Sequence, residues 1–356
     1  MTSNSAFAPG IYENLTNEQY HAAPGVSNST LKTFLVSPLH CWHATLNPEL
    51  ECALCGVSRG KHANLPCQFF SARAETPALR LGSALHTATL EPEKFMERYA
   101  PRPAAADYTE ALTTVQSMQE WLIAQGLPFK KSAAKPELQA VCREAKAPLL
   151  EDMLSAQAKK DYGKKYLDKA EWAQACRMAA ALERESALKP YLADGVGEVS
   201  IFALDPDTGL LLKCRVDWMA ARSRVIVDPK TFSTRGRTVD AAVASAIQFD
   251  YHTQPWFYLH VLRLATEAGY ADLSGFSWLY AFVESDAPYE VRLRSMGPDG
   301  SKYWDATGAE IQGALRRFAE YQREFGNKPW AYHQQVRPVT DTEMKAVIYR
   351  EVEEWV

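Results

Sequence analysis

The sequence predicts an α/β fold, a strand-bearing core with helical additions. Three observations carry that prediction. The hydrophobic pattern changes period after Pro190, from helical spacing to two-residue alternation. Three strand-like segments then follow in close succession, separated by turn sequences such as DPDTG (205–209). Helical runs separate them from further strand-like segments, giving the order helix, three-strand meander, helix, strand.

Along the chain, residues 1–50 read as a turn-rich lead-in and a helix over VSNSTLKTFLVSP, with Ser27 or Ser29 as N-cap and Pro38 as stop. Residues 51–77 read as an irregular insertion with Cys52, Cys55 and Cys67. PALRLGSALHTATL reads as a helix that stops near Pro92. Residues 104–190 are Ala- and Leu-rich and mostly helical in composition. The lysines of AKKDYGKKYLDK read as a solvated helical face or, alternatively, as a phosphate-contacting surface. GVGEVSIFAL, LLLKCRVDWMA and SRVIVDPK read as strands, VDAAVASAI as a helix, and a second helix opens near Thr253 to Pro255 and runs to about Ala268. GFSWLYAFVES and YEVRLRSM read as two more strands, and from about Ala306 two further helices are expected, the last of them acidic.

Composition bounds the function. The 356 residues are 47% hydrophobic and 23% charged, the mix of a globular chain with a sizeable core. A formal charge of −4 gives no overall basic field, so any DNA contact must come from local patches. The start MTSNSAFAPG lacks a basic stretch followed by an apolar run, and no apolar run approaches the roughly 18 residues of a membrane span, so no leader and no membrane are expected and the location is expected to be cytoplasmic. Seven cysteines point to reduced thiols or metal ligands rather than a disulfide framework.

The chemistry lies in VIVDPK. Asp228 and Lys230 are two apart and share one face of a strand, with Val225 and Val227 on the other. In the preceding strand Leu212, Cys214, Val216 and Trp218 are expected on one face, and Lys213, Arg215 and Asp217 on the other. A hairpin turning at Arg222 and Ser223 sets Asp217 opposite Asp228, with Cβ atoms roughly 5 Å apart. Two carboxylates that close repel unless one is protonated or a cation lies between them, and a hard divalent ion is the natural solution, Mg²⁺ by default and Mn²⁺ as its substitute. The Pro229 carbonyl offers another ligand, and Glu198, near the level of Asp217, is expected to bind a metal-held water or a second ion. Lys230 is expected to position and help deprotonate an attacking water and to stabilise charge developing on a phosphate. The plainer reading is an exposed hairpin with a surface Asp–Lys pair.

The acidic residue followed by Asp228-Pro229-Lys230 on a hairpin resembles the PD-(D/E)xK nuclease core, a central mixed sheet flanked by helices. Gln254 and Tyr258 in YHTQPWFYLH match the Q-x-x-x-Y motif of its RecB-like branch, and i, i+4 spacing puts both on one helical face. GSALHTATLEPEKF (82–95) and the lead-in GIYENLTNEQYHAAPGVSNSTLKTFLVSPLHCW resemble RecE-type phage exonucleases. The resemblance implies one nuclease domain over 1–356: an N-terminal part (1–95), a helical region (96–190), a catalytic core (191–300) and C-terminal helices (301–356). It implies His86 as a metal ligand with Asp217 and Asp228, Lys230 as the catalytic lysine, and Gln254 and Tyr258 holding the DNA end or the geometry of the site. Arg80, Thr231, Ser233 and Arg235 are the candidates for phosphate contact. Cys52 and Cys55, with Cys67, Cys41, His43 and His62 nearby, have the composition of a structural Zn²⁺ site, although only one C-x-x-C pair is present. An iron–sulfur cluster is not expected, because relatives that carry one place three cysteines after the Q-x-x-x-Y motif and none follows Cys214 here.

The expected activity is therefore Mg²⁺-dependent double-strand DNA exonucleolysis, hydrolysing the 5′-ended strand by a metal-activated water and leaving a 3′ single strand for recombination. Expected partners are duplex ends, an annealing protein of the RecT/Redβ kind, and further copies of the chain in a ring of three or four. The C-terminal segment EMKAVIYREVEEWV is the candidate surface for the annealing partner. The alternatives are a RecB-like single-strand or flap nuclease acting with a helicase, a catalytically silent DNA- or protein-binding module, and a zinc-binding interaction protein.

Overall fold

A computed structural model of the chain describes residues 8–46, 76–247, 252–298 and 302–330. The proposed zinc ligands Cys52, Cys55, His62 and Cys67, and the segment EMKAVIYREVEEWV, lie outside the described residues. In chain order the elements are β1 (Gly10–Tyr12), α1 (Asn17–Ala22), α2 (Asn28–Val36), α3 (Pro38–Thr45), α4 (Pro77–Leu90), α5 (Pro92–Arg98) and β2 (Tyr99–Pro101). They continue with α6 (Val115–Ala124), α7 (Lys135–Glu144), α8 (Leu150–Lys160), β3 (Lys165–Leu167), α9 (Lys169–Arg184) and α10 (Lys189–Leu192). The remainder is β4 (Val196–Leu204), β5 (Leu211–Ala220), β6 (Val225–Phe232), α11 (Val239–Ile247), α12 (Thr253–Glu267), β7 (Ser277–Glu284), β8 (Val291–Met296) and α13 (Lys302–Phe325).

Local signals set the helix ends that matter for the site. In α4, the Thr76 hydroxyl accepts from the Leu79 amide and Pro77 fills the first turn, where its missing N–H costs nothing. Pro92 then opens α5 instead of extending α4. Ser27 caps α2, and Ser37 with Pro38 ends it and starts α3. In α12, Pro255 stands in the first turn.

The large sheet runs in the order β1-β4-β5-β6-β7-β8. Its neighbours pair antiparallel except β6 and β7, which pair parallel from Val225 with Ser277 to Phe232 with Glu284. A parallel pair needs a long connection, and α11 and α12 supply it. Helices cover both faces. Phe34, Phe257, Val261, Ile311 and Phe318 from α2, α12 and α13 pack on one face with Ile201, Cys214, Ile226 and Trp278. Leu85, Met178 and Leu182 from α4 and α9 pack on the other with Val227, Ala281 and Val283. Strand β6 is thus buried on both sides, as a central strand next to a parallel partner is expected to be. A separate small cluster joins α6 to α7 through Met118, Leu122, Leu138 and Cys142.

Two sequence expectations are corrected here. Trp218 does not share a face with Leu212, Cys214 and Val216: those three lie in the α12 side of the core, while Trp218 packs on the α4/α9 side. The cause is a local distortion. Glu198 on β4 has φ of 62°, and the β4–β5 pairing passes from Gly197–Trp218 to Val199–Val216 without pairing the residues between. The turned indole donates to the Tyr191 carbonyl at 2.9 Å, and a Cβ at Gly195 would stand 2.2 Å from its nitrogen, so only glycine fits there. The lysine-rich segment, in turn, is not one helical face. It spans the end of α8, a turn, β3 and the start of α9.

Candidate metal centre

The β5–β6 hairpin turns over Ala221–Arg224, and its register pairs Trp218 with Val227, Met219 with Ile226 and Ala220 with Val225. The same register carried one step further sets Asp217 across from Asp228. Helix α4 lies against this end of the hairpin and delivers His86. His86, Asp217 and Asp228 each offer a ligand atom, and these atoms lie within 4.8 Å of one another.

The imidazole bridges oxygens on both sides. Its Nε2 is 2.6 Å from the Pro229 carbonyl oxygen, which can only accept, and 3.8 Å from Asp228 Oδ1. Its Nδ1 is 3.3 Å from Asp217 Oδ2. Burial works against protonation, but the Asp217 carboxylate outweighs it and holds the His86 pKa above its ordinary value. Asp217 is held low: burial opposes this, and the His86 charge and hydrogen bond overcome it. Asp228 goes the other way. It is fully buried, and burial with the nearby Asp217 charge raises its pKa despite the Lys230 ammonium. Lys230 Nζ donates to Asp228 Oδ1 at 2.7 Å. Asp228 Oδ2 is buried and accepts no hydrogen bond.

A divalent cation fits this set. The buried oxygen without a donor is what an absent positive ligand leaves behind. Two carboxylates, a backbone carbonyl and one imidazole form a mostly oxygen donor set, suited to a hard or borderline divalent ion. The protonated imidazole fills a cation's place between Asp217 and Asp228, and binding of an ion there would release its proton.

The other residues named from sequence fall into three groups. Gln254 and Tyr258 are half-buried on α12, with the Tyr258 ring edge-on to Trp278 at 5.2 Å. Burial first, then the charges of Tyr20, Asp217, Cys214 and Asp228, keep the Tyr258 phenol well above its ordinary range. Thr231 is half-buried one residue before the end of β6, and Ser233 and Arg235 follow in the loop, with Arg235 exposed. Thr234, which sequence reasoning did not single out, anchors that loop by donating to the buried Glu284 at 3.0 Å.

Two residues have other employment. Glu198 lies level with Asp217, as expected, but its carboxylate pairs with Arg215 and does not join the ligand group. Arg215 also donates to the Leu15 carbonyl at 2.9 Å, so the pair clamps the lead-in onto β5. The φ of 62° turns Glu198 out of the alternation, and two glycines close by, Gly195 and Gly197, were the available hint of a distorted strand. Arg80 forms a two-pronged pair with Glu171 of α9, at 3.1 and 2.6 Å, and this bond pulls the Glu171 pKa down. Its guanidinium ties α4 to α9. Sequence could not show this, since the partners are 91 residues apart.

No curated protein matches the chain in sequence. A solved structure from Eubacterium rectale, provisionally described as an exonuclease, is similar over 94% of this chain and 99% of that chain, at 14% identity and a TM-score of 0.43. A family model described as the PDDEXK-like domain of unknown function (DUF3799) matches residues 66–326, which include His86, Asp217, Asp228, Lys230, Gln254 and Tyr258. The chain belongs to that PDDEXK-like family, built on the nuclease core that its hairpin and histidine helix resemble.

Proposed function

We propose that the protein is a Mg²⁺-dependent exonuclease that acts at duplex DNA ends, hydrolysing the 5′-ended strand and leaving a 3′ single strand for annealing. The observation that carries the nuclease reading is the buried Asp228, with one oxygen on Lys230 and the other without a donor, inside the ligand group with His86 and Asp217. His86, Asp217, Asp228 and the Pro229 carbonyl would hold the ion. When bound, a divalent ion polarises a phosphodiester and acidifies an attacking water. Asp228 Oδ1 holds the Lys230 ammonium beside the cluster, where its charge can offset the charge that builds on the phosphate oxygens. The same ammonium can orient the attacking water by donating a hydrogen bond to it, and the proton that the water loses passes to solvent. Tyr258 and Gln254 would brace the DNA end from α12. The preference for ends, the polarity, the ring of copies and the annealing partner follow from the family resemblance described above.

The test compares linear and covalently closed circular duplex with Mg²⁺, with EDTA and with the Lys230→Ala protein. Loss of linear DNA alone, abolished by EDTA and by the substitution, is expected. Cutting of the circle would turn the reading to an endonuclease. Cleavage of single strands or flaps alone would favour the helicase-linked alternative. No cleavage of any of these by the wild-type protein would overturn the nuclease reading.

A further inference from the structure

A second basic feature lies away from the metal cluster. The eleven residues from Lys159 to Lys169 hold five lysines and two aspartates in a chain whose formal charge is −4. They run from the end of α8 through a turn and β3 to the start of α9. At the turn Tyr162 is 92% exposed, with Lys159, Lys160 and Lys165 exposed around it. An aromatic ring this exposed buries almost no apolar area in its own fold.

Behind the turn is a cleft of about 280 Å³, walled by Tyr99, Tyr108 and Trp172 and edged by Arg102, Lys164 and Lys169. It falls just under the roughly 300–1,000 Å³ of ordinary ligand sites, a volume for one small planar unit. The acids in it are occupied. Asp161 accepts from Gln157 at 2.8 Å and Tyr166 at 3.2 Å, and Asp107 pairs with Lys169. Lys164 stands 3.8 Å from Asp161, a loose pair that leaves its ammonium able to turn outward. Arg102 engages Asp168 through Nε at 3.1 Å, with its guanidinium 5.8 Å from the centre of the Tyr166 ring.

Aromatic faces interleaved with cations are what an unpaired strand needs: rings stack on bases of any sequence, and lysines follow the phosphates. Duplex DNA offers no free base face for Tyr162 or the cleft. We infer that the α8–β3 turn and the cleft behind it bind single-stranded DNA, and so form an accessory strand site outside the metal centre. The site adjoins the catalytic layer, since α5 and α9 on its flanks both pack against α4, which carries His86. The inference rests on the nuclease reading only for the origin of the strand.

Binding of a fluorescein-labelled 20-nucleotide single strand, followed by anisotropy in EDTA, tests it. The full-length protein is compared with a Lys160→Ala/Tyr162→Ala/Lys165→Ala variant over a range of salt. The variant is expected to bind at least tenfold more weakly. Its plot of log affinity against log salt should be shallower by about 1.4, near 0.7 for each lysine lost. A Tyr162→Phe protein should bind as wild type, because the ring is retained. Cleavage of linear duplex at saturating DNA should be unchanged in all three. Equal binding by the triple variant and wild type, or no single-strand binding by wild type, overturns the accessory site and leaves the nuclease reading untouched. Preferential capture of an acidic peptide over the oligonucleotide would overturn it as well. Loss of cleavage by Lys230→Ala with single-strand binding retained separates the two sites.

Discussion

Strand β5 carries two groups of charged side chains in succession, and they are treated in opposite ways. At Lys213 and Arg215 the donors are partnered. Lys213 Nζ donates to the Tyr20 and Ala23 carbonyls at 3.0 and 2.6 Å and stands 4.9 Å over the Tyr20 ring. Arg215 donates to the Leu15 carbonyl and the Ser200 hydroxyl and pairs with Glu198. At Asp217, two residues on, the cross-strand neighbour is a second carboxylate, His86 reaches both, and Asp228 keeps a buried oxygen without a donor. Buried charge with complete partners is a fastener, here holding the lead-in to the sheet. A like-charged pair that keeps one buried oxygen without a donor, beside His86 and Lys230, is instead a candidate cation site.

The largest expected effect tests the second half of that contrast. Asp228→Asn keeps the shape and an acceptor for Lys230 while removing the charge. Cleavage of linear duplex should fall by at least about 10³-fold, the scale for deleting one essential electrostatic group. Stability should hold or rise by about 1 kcal/mol, because a like-charged neighbour of Asp217 has been removed. A melt lowered by more than about 2 kcal/mol, with activity falling only in proportion to the unfolded fraction, would show that Asp228 is a fastener after all.

Much of this was legible in the sequence, for physical reasons. Strand alternation is local, so β4 to β8 and the Ala221–Arg224 turn follow from period and turn residues, and the hairpin register then sets Asp217 against Asp228. What the sequence hid was long-range or strained. The Arg80–Glu171 and Glu198–Arg215 pairs join segments whose proximity only the fold creates. The reversal at Trp218 depends on one residue with left-handed backbone, a glutamate, and Gly195 and Gly197 beside it are the sequence's hint of it. The three-residue strands β1, β2 and β3 are too short to show a period.

A smaller effect tests the fastened end. Lys213→Met leaves two buried carbonyls without their donor and should cost about 1–3 kcal/mol at neutral pH. The pH dependence identifies the cause. Burial lowers the Lys213 pKa from 10.5 to about 8. Below pH 8 both folded and unfolded chains carry the proton, and the full cost of burying the charge is present. Between pH 8 and 10.5 the unfolded chain holds more protons at this site than the folded one, so wild-type stability rises with pH. The Met variant lacks this gain, so its deficit relative to wild type should widen from pH 7 to pH 10 in urea unfolding. A deficit that stays constant or narrows would mean that Lys213 is not held as a buried ammonium.

The smallest effect separates a fastener from a ligand-binding residue where the two were confused. From sequence alone, Arg80 looked able to grip a phosphate, yet it is bound on two prongs to Glu171. Partly exposed pairs of this kind contribute about 0.2–1 kcal/mol, with two-pronged geometry favouring the upper end. Arg80→Ala should therefore lower stability by about that amount and Glu171→Ala by more, because the Glu171 carboxylate also accepts from the Asp168 amide where α9 begins; the double variant should cost no more than Glu171→Ala alone, since the shared bond is already lost. Duplex affinity and its salt slope should be unchanged in all three, since no phosphate contact is lost. A phosphate-binding Arg80 would act differently. Its loss would weaken DNA binding and flatten the salt slope by roughly 0.9, whereas removing Glu171 would free the guanidinium and strengthen binding. The opposite signs expected for the glutamate variant make this the discriminating measurement, although its energy is small.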